Sequence, residues 1–116
     1  MPALRKAGIK IGVSSHDHAE LDRALALEPA YVALGPIYPT LLKVMPWPAQ
    51  GLERIREWKQ QLGVIPLVAI GGLNVERLSG VFAAGADVAA VVTDIVRNLD
   101  PESRTREWLS RARGLT

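Results

Sequence analysis

The 116-residue sequence contains no cysteine, and aromatic side chains make up only 5% of it. Without cysteine, a disulfide scaffold, a thiolate metal site and a cysteine nucleophile are excluded. Charge of one sign is also lacking, because 14 Lys and Arg nearly balance 12 Asp and Glu. The sequence therefore predicts no strong field for nucleic acid or an acidic membrane surface.

A long hydrophobic run is missing as well. The longest apolar stretch, 81–92, is interrupted by Gly85 and Asp87 and is too short to span a bilayer. The first residues lack the apolar segment of a signal peptide, so we expect a cytoplasmic protein. Apolar residues nevertheless make up 48% of the chain, which is typical of a globular protein. The length predicts one small domain over 1–116.

Strand and helix patterns alternate four times along the chain. The predicted strands are 8–13, 31–34, 67–70 and 88–92, and the predicted helices are 18–27, 52–62, 75–84 and 101–112. Asp17 and Asn74 are the predicted N-caps of two helices. The alternation indicates an α/β fold with parallel strands and right-handed crossovers. A proline-rich connection, 36–51, is longer than most and is therefore a candidate functional loop.

Small and polar residues follow each predicted strand, where parallel α/β proteins place their sites. Gly71 and Gly72 precede a helix and would let backbone N–H groups approach a phosphate, although a tight turn needs glycine too. Thr93 follows a buried strand and offers a hydroxyl. Lys43, in the proline-rich loop, is a candidate point charge for a phosphate or leaving group, or simply a solvated loop lysine.

Other side chains have simpler interpretations. We interpret His16 and His18 as the start of a helix rather than a metal site, since no third ligand stands at a usual spacing. Trp58 and Trp108 lie at helical core spacing, which predicts packing positions. The arginines of the last helix, Arg104 among them, predict a solvated face.

The strand-end motifs together resemble the thiamine phosphate synthase family, in order and at matching spacing over almost the whole chain. The matching segments are Gly12-Val13-Ser14-Ser15-His16, Gly35-Pro36-Ile37-Tyr38-Pro39-Thr40, Lys43, Gln50-Gly51-Leu52, Val68-Ala69-Ile70-Gly71-Gly72 and Ala84-Gly85-Ala86-Asp87. The resemblance implies a (β/α)₈ TIM barrel. Because this chain supplies four βα units, it looks like the C-terminal half-barrel, strands five to eight.

The resemblance also implies a reaction. Loss of pyrophosphate from 4-amino-5-hydroxymethyl-2-methylpyrimidine diphosphate, assisted by Mg²⁺, gives a cation that the nitrogen of 4-methyl-5-(2-phosphoethyl)thiazole captures. The products are thiamine phosphate and pyrophosphate. The Mg²⁺ ligands would lie in the N-terminal half and none in this chain. We expect the isolated chain to be inactive, and to self-associate or to pair with the missing half-barrel.

Individual roles follow from the same resemblance. Ser14 would contact the pyrimidine diphosphate, and Lys43 would neutralise the departing pyrophosphate. Thr40 and Leu42 would approach the thiazole phosphate. The amides at Gly72, Val92 and Thr93, with the Thr93 hydroxyl, would bind that phosphate.

The sequence departs from the family pattern at two positions. Leu42 replaces a hydroxyl residue, which puts one substrate hydrogen bond in doubt, whereas Thr93 replaces serine and keeps the hydroxyl. Asp94 stands beside the expected phosphate site, where its charge would repel the ligand. We therefore expect Asp94 to cap the following turn.

Two alternatives remain at this stage. One is the related thiazole tautomerase, in which His16 would act as acid and base. The other is a non-catalytic phosphate-binding half-barrel, favoured by the lack of convincing magnesium ligands, for which Asp17 and Asp94 are the only candidates.

Overall fold

The computed structural model describes residues 3, 6–39 and 48–115. The elements in chain order are β1 (Gly12–Ser15), α1 (His18–Ala26), β2 (Tyr31–Leu34), α2 (Gly51–Leu62), β3 (Leu67–Ile70), a 3₁₀ turn (Val75–Arg77), α3 (Leu78–Ala83), β4 (Val88–Ala90), α4 (Thr93–Val96) and α5 (Pro101–Leu115). The four strands form one parallel sheet in the order β1-β2-β3-β4. The predicted parallel α/β fold with four βα units is confirmed.

One face of the sheet forms the core with the helices. Val32, Leu34, Leu67 and Ala69 are fully buried there. Trp58 of α2 is fully buried and Trp108 of α5 nearly so, which confirms both as packing positions. Burial of these side chains is the main stabilising contribution.

Across residues 3, 6–39 and 48–115, no helix packs on the opposite face of the sheet, which we call the open face. Strand alternation places eight residues on this face: Gly12, Ser14, Tyr31, Ala33, Val68, Ile70, Val88 and Ala90. Tyr31, Ile70 and Val88 keep 44%, 39% and 46% of their surface exposed. The sheet thus has one covered face and one apolar face without a cover.

Several predicted boundaries were wrong for local reasons. The first strand is Gly12–Ser15 rather than 8–13, because pairing begins opposite Tyr31, where β2 starts after Pro29. The fourth strand ends at Ala90 rather than residue 92. Helix 75–84 is a 3₁₀ turn followed by the short α3.

Both predicted N-caps are confirmed. The Asp17 carboxylate accepts a hydrogen bond from the backbone N–H of Glu20, and the Asn74 side chain accepts one from the N–H of Arg77. Capping of this kind typically contributes about 1 kcal/mol.

A carboxylate at the amino end of the sheet links three elements. Asp87 Oδ2 accepts from Lys59 Nζ at 2.7 Å and from the backbone N–H of Leu67 at 2.9 Å. Burial alone would raise the pKa of Asp87, but the hydrogen bonds from Lys59 and Leu67 outweigh it and hold the pKa below 3.8.

Replacement of Asp87 by asparagine is expected to lower the free energy of unfolding at pH 7 by about 1 kcal/mol, since the pair is partly exposed. Because the folded pKa is depressed, the wild-type advantage exists above pH 3.8 and is lost as pH falls through the folded pKa. Denaturant unfolding of both proteins between pH 7 and pH 3 measures this. A difference in the free energy of unfolding between wild type and Asp87→Asn that is independent of pH would contradict a stabilising role for the Asp87 charge.

Candidate functional site

A cavity of about 360 Å³ lies at the carboxyl ends of the four strands. It is lined by residues 14–16, 33, 35, 36, 70–73 and 90–93. Ser14, Ala33, Ile70 and Ala90 reach it from the open face of the sheet. The cavity thus lies where parallel α/β proteins bind their ligands, and its volume suits a small molecule.

The cavity brings together four of the predicted site residues. Ser14 belongs to β1, Gly72 to the loop after β3, and Val92 and Thr93 to the segment after β4. These residues come from three separate strand ends. The remaining predicted site residues, Thr40, Leu42 and Lys43, lie outside the described residues.

The flanks of the proline-rich connection that contains those three residues are described, and both lie beside the cavity. Pro39 lies against Gly72. On the other flank, the backbone N–H of Gln50 donates to the Pro36 carbonyl at 2.7 Å. Both ends of the connection are therefore fixed at the rim of the site.

The carboxyl end of β1 is held by a buried hydrogen-bond chain. Trp58 Nε1 donates to Ser15 Oγ at 2.8 Å, and Ser15 Oγ donates to the Ala33 carbonyl at 2.8 Å. Ser15 is fully buried, whereas the adjacent Ser14 is exposed at the cavity. The two serines therefore have different roles, one structural and one available to a ligand.

Ser15→Ala is expected to reduce the free energy of unfolding by about 1–3 kcal/mol, because it leaves the buried Trp58 N–H and Ala33 carbonyl without their partner. The cost of Ser15→Ala should shrink when Trp58 is already phenylalanine, since the donor is then absent. Ser14→Ala is the matched control and should leave stability within about 0.5 kcal/mol of wild type. Equal costs for the two serine variants in denaturant unfolding would contradict this assignment.

His16 lies at the cavity wall between two polar neighbours. Its Nδ1 is 2.9 Å from Glu20 Oε1, and the same oxygen accepts from the His16 backbone N–H at 2.7 Å. Gln50 Nε2 donates to the carbonyls of His16 and Gly35, at 2.7 Å and 3.3 Å. Gln50 thereby joins the loops that follow β1 and β2.

The loop after β3 packs directly on the segment after β2. Gly72 has φ +69°, a left-handed conformation that favours glycine. An added Cβ there would lie 2.7 Å from the Pro39 carbonyl oxygen. Arg77 Nη1 donates to the Gly72 carbonyl, and the Arg77 guanidinium lies 4.1 Å from the centre of the Tyr38 ring. Glycine is thus required at position 72, because the backbone there passes too close to Pro39 to leave room for a side chain.

The segment after β4 differs from two of our expectations. Asp94 does not cap the following turn. Its Oδ2 accepts from Arg104 Nε at 2.9 Å and Trp108 Nε1 at 2.8 Å, and its Oδ1 accepts from Arg104 Nη2 at 3.1 Å. Arg104 is correspondingly not solvated, since its side chain is only 14% exposed. The prediction failed because α5 packs back across α4 and brings the arginine to the carboxylate.

The charge state of Asp94 follows from these contacts. Burial alone would raise the pKa of Asp94, but the hydrogen bonds from Arg104 and Trp108 outweigh it, so the pKa lies below 3.8. The same ion pair raises the pKa of Arg104. The carboxylate is therefore ionised at neutral pH, and its charge is neutralised by the partly exposed Arg104 guanidinium.

The described residues do not fit a magnesium site. In residues 3, 6–39 and 48–115 no group of three or more His, Asp or Glu side chains is placed to hold a metal ion. The two carboxylates considered from the sequence are used elsewhere, since Asp17 caps α1 and Asp94 binds Arg104 and Trp108. Magnesium, which binds through carboxylates and phosphates, would need ligands from outside these residues.

Three residues around the cavity had no part in the site predicted from the sequence: Gln50, Arg77 and Arg104. Gln50 was part of a matching motif, and its position between the proline-rich loop and a helix was the one feature of the sequence that could have indicated a role at the site. Arg77 and Arg104 gave no local signal, because each acts through a partner that only the fold brings near.

None of the helices in the described part of the chain has the length and apolar composition needed to span a membrane.

Known proteins similar to this chain share both its sequence and its fold. A thiamine-phosphate synthase of Rhizobium etli is 57% identical over 110 residues, which cover 95% of this chain and 54% of that protein. A thiamine-phosphate synthase of Klebsiella pneumoniae is 44% identical over 112 residues, or 97% of this chain and 53% of that protein. The chain spans about half the length of the curated relatives it matches.

Solved structures extend the similarity to the barrel fold. The thiamine phosphate pyrophosphorylase of Pyrococcus furiosus superposes with a TM-score of 0.83 at 27% identity, covering 98% of this chain and 54% of that chain. An orotidine 5'-phosphate decarboxylase of Pyrococcus horikoshii, at 21% identity and a TM-score of 0.68, supports the fold alone. The TIM-barrel type of α/β fold is thereby confirmed.

The model of one protein family, thiamine monophosphate synthase, matches residues 2–95. That match includes every strand of the sheet and the residues that line the cavity. The predicted resemblance is confirmed, and the chain belongs to the thiamine monophosphate synthase family.

Proposed function

We propose that this chain forms the C-terminal half, strands five to eight, of a thiamine phosphate synthase. One observation supports this most strongly. The family resemblance implies ligand contacts for Ser14, Gly72, Val92 and Thr93, which come from three strand ends, and all four line one cavity of about 360 Å³. A cavity of this size can hold a planar heterocycle with its phosphate.

The proposed reaction is a substitution at the pyrimidine methylene carbon. The bond from that carbon to the diphosphate oxygen breaks, and its electron pair leaves with pyrophosphate. The thiazole ring nitrogen then donates its lone pair to the carbon, giving thiamine phosphate. The protein must stabilise a departing polyanion and hold two planar partners in line.

In this proposal the loops after β3 and β4 bind the thiazole phosphate. The amides of Gly72, Val92 and Thr93 and the Thr93 hydroxyl are the donors. Ser14, on the opposite wall, contacts the pyrimidine diphosphate. This arrangement is supported by the lining of the cavity, since Ser14 and Thr93 come from the two outer strands of the sheet.

The proline-rich connection supplies the remaining groups. Lys43 neutralises the departing pyrophosphate, and Thr40 and Leu42 approach the thiazole phosphate. Support comes from the two ends of the connection, which both lie at the cavity rim. Leu42 cannot donate the side-chain hydrogen bond of a hydroxyl residue, so its contribution is steric or through the backbone.

The complete site would include the remaining half of the barrel. Mg²⁺, as the family resemblance implies, would be bound there. The open face of the sheet would be covered by that half or by a second copy of this chain. We place the enzyme in the cytoplasm, because a chain without cysteine forms no disulfides and therefore needs no oxidising compartment.

A chimera tests the proposal in a complete barrel. This chain replaces the matching 54% of the Rhizobium etli relative, and formation of thiamine phosphate is measured with both substrates and magnesium. We expect activity in the chimera and none in the isolated 116-residue chain. Lys43→Ala should lower kcat by about 100-fold or more, because it removes a charge that stabilises the leaving group.

The matched control is Lys10→Ala. Lys10 is exposed and precedes β1, so it lies at the amino end of the sheet, away from the cavity. It should keep wild-type kcat. A folded chimera without synthase activity would contradict the proposed function, and equal effects of the two lysine variants would contradict the role of Lys43.

One observation favours a second candidate, the thiazole tautomerase. His16 lines the cavity with its Nδ1 2.9 Å from Glu20 Oε1, as a positioned acid and base would. His16→Gln in the chimera distinguishes the two functions. A synthase should retain most of its activity, whereas a tautomerase should lose almost all of it.

A further inference from the structure

The segment that lines the cavity after β4 is a single helical turn. Helix α4 spans only Thr93–Val96, with hydrogen bonds from the N–H of Val96 to the Val92 carbonyl at 2.9 Å and from the N–H of Arg97 to the Thr93 carbonyl at 3.0 Å. One turn is not stable by itself, because helix nucleation is unfavourable. Its orientation must therefore be set by contacts with the rest of the fold.

The contacts come from α5 and converge on one carboxylate. Asp94 accepts three hydrogen bonds, two from Arg104 and one from Trp108. The side chains of Asp94 and Arg104 are 17% and 14% exposed, and Trp108 is buried. A two-point Arg–carboxylate contact fixes direction as well as distance. We call these three residues the Asp94 anchor.

The anchor also acts on the loop after β3. Arg104 Nη2 lies 3.1 Å from Glu76 Oε2, and Glu76 belongs to the 3₁₀ turn that follows the Gly72 loop. One guanidinium thus contacts Glu76 and Asp94, which follow the two cavity-lining segments 70–73 and 90–93. Asp94 adjoins Thr93 in sequence, yet its charge is directed to α5 and neutralised there.

We propose that Asp94, Arg104 and Trp108 are positioning residues, which hold Val92 and Thr93 in the orientation that binds the phosphate of the substrate. The inference rests on the proposed function, because it concerns the same phosphate site. None of the three residues is itself among those that line the cavity. Their effect is exerted through the backbone of α4.

The test is isothermal titration calorimetry, which measures the affinity of the 116-residue chain for 4-methyl-5-(2-phosphoethyl)thiazole and for the corresponding unphosphorylated alcohol. Arg104→Met should weaken binding of the phosphorylated thiazole about tenfold or more, the equivalent of one charge-assisted hydrogen bond. Affinity for the alcohol should change little. Asp94→Asn keeps an acceptor for Trp108 and Arg104, so it should lose less than Asp94→Ala.

Hydrogen exchange gives a second readout that does not need a ligand. The amides of Val96 and Arg97 report the α4 turn, and they should exchange faster in Arg104→Met. The matched control is Arg106→Met, which removes the same charge from the same helix at a side chain that is 71% exposed and paired with Glu102. Arg106→Met should alter neither exchange nor affinity.

The outcomes separate this inference from the proposed function. If the wild-type chain binds neither thiazole, the phosphate site of the isolated chain and the positioning role are both overturned, whereas the synthase proposal is decided separately by the activity of the chimera. If it binds the phosphorylated thiazole and Arg104→Met does so equally well, only the positioning role is overturned. Equal losses for both thiazoles, or unchanged exchange at Val96 and Arg97, would also overturn it.

Discussion

Gly72→Ala is expected to destabilise the protein and to abolish phosphate binding at the cavity. Gly72 has φ +69°, and a non-glycine residue there is strained by about 1–3 kcal/mol. The added Cβ would also lie 2.7 Å from the Pro39 carbonyl oxygen and 2.7 Å from Tyr38 Cβ. Crowding of this kind costs a further 1–3 kcal/mol, roughly.

The variant must move the loop after β3 away from Tyr38 and Pro39, and the cavity wall moves with it. We therefore expect the melting temperature to fall by roughly 10 °C or more. Titration with the phosphorylated thiazole should show no binding. Thermal unfolding and titration of the same preparation measure both effects.

Gly63→Ala separates strain from crowding. Gly63 ends α2 with φ +60°, and a Cβ there would meet nothing within 4 Å. This variant should lose only the strain energy of about 1–3 kcal/mol and should keep its affinity for the phosphorylated thiazole. Equal losses of stability in the two variants would contradict the close approach at Gly72.

The second large effect concerns the open face of the sheet. Tyr31, Ile70 and Val88 expose apolar surface there, and β1 and β4 are edge strands of the sheet. Apolar surface next to unpaired strand edges favours association. We predict that the purified chain self-associates, with two four-stranded sheets closing on each other.

Val88→Glu is expected to convert the associated protein to a monomer. Val88 is 46% exposed on the open face, so a carboxylate is tolerated in the monomer but is desolvated in the associated form. Val88 does not line the cavity, although it shares the open face with Ala90, which does. Light scattering coupled to size-exclusion chromatography measures the mass.

The matched control for association is Val64→Glu. Val64 is 97% exposed and lies between α2 and β3 rather than on the sheet. The substitution makes the same chemical change without touching the open face, so the mass should stay that of the wild-type protein. A wild-type chain that elutes as a uniform monomer would contradict the prediction.

Local patterns predicted those parts of the fold that depend on neighbouring residues. The strands 31–34 and 67–70 are apolar segments bounded by proline or glycine, and they match the structure to the residue. Asp17 and Asn74 were predictable N-caps because capping involves only the next three residues. Gly72 was predictable as a site residue, since strand ends and glycine pairs are visible in the sequence.

The missed side-chain contacts depend on partners distant in the chain. The Ser15 hydroxyl accepts a buried hydrogen bond from Trp58, which is 43 residues away. Asp94 is directed away from the cavity because Arg104 and Trp108 reach it from the next helix. Neither pairing has a periodic or compositional signal, so a single sequence does not reveal it.

The family assignment depended on motifs rather than on periodicity. The strand-end segments of this chain resembled thiamine phosphate synthase as a set, and the relatives confirm the family. The roles of all the predicted site residues are proposals. Ser14, Gly72, Val92 and Thr93 line the cavity, whereas Lys43, Thr40 and Leu42 lie outside the described part of the structure.

The most direct test of the central claim is a calorimetric titration of the wild-type chain with 4-methyl-5-(2-phosphoethyl)thiazole, against the unphosphorylated alcohol. If the loops after β3 and β4 form a phosphate site, as proposed, binding of the phosphorylated thiazole is saturable and at least about tenfold tighter than that of the alcohol. Thr93→Ala should reduce that preference. Equal affinities for the two thiazoles, or no binding of either, would contradict the claim.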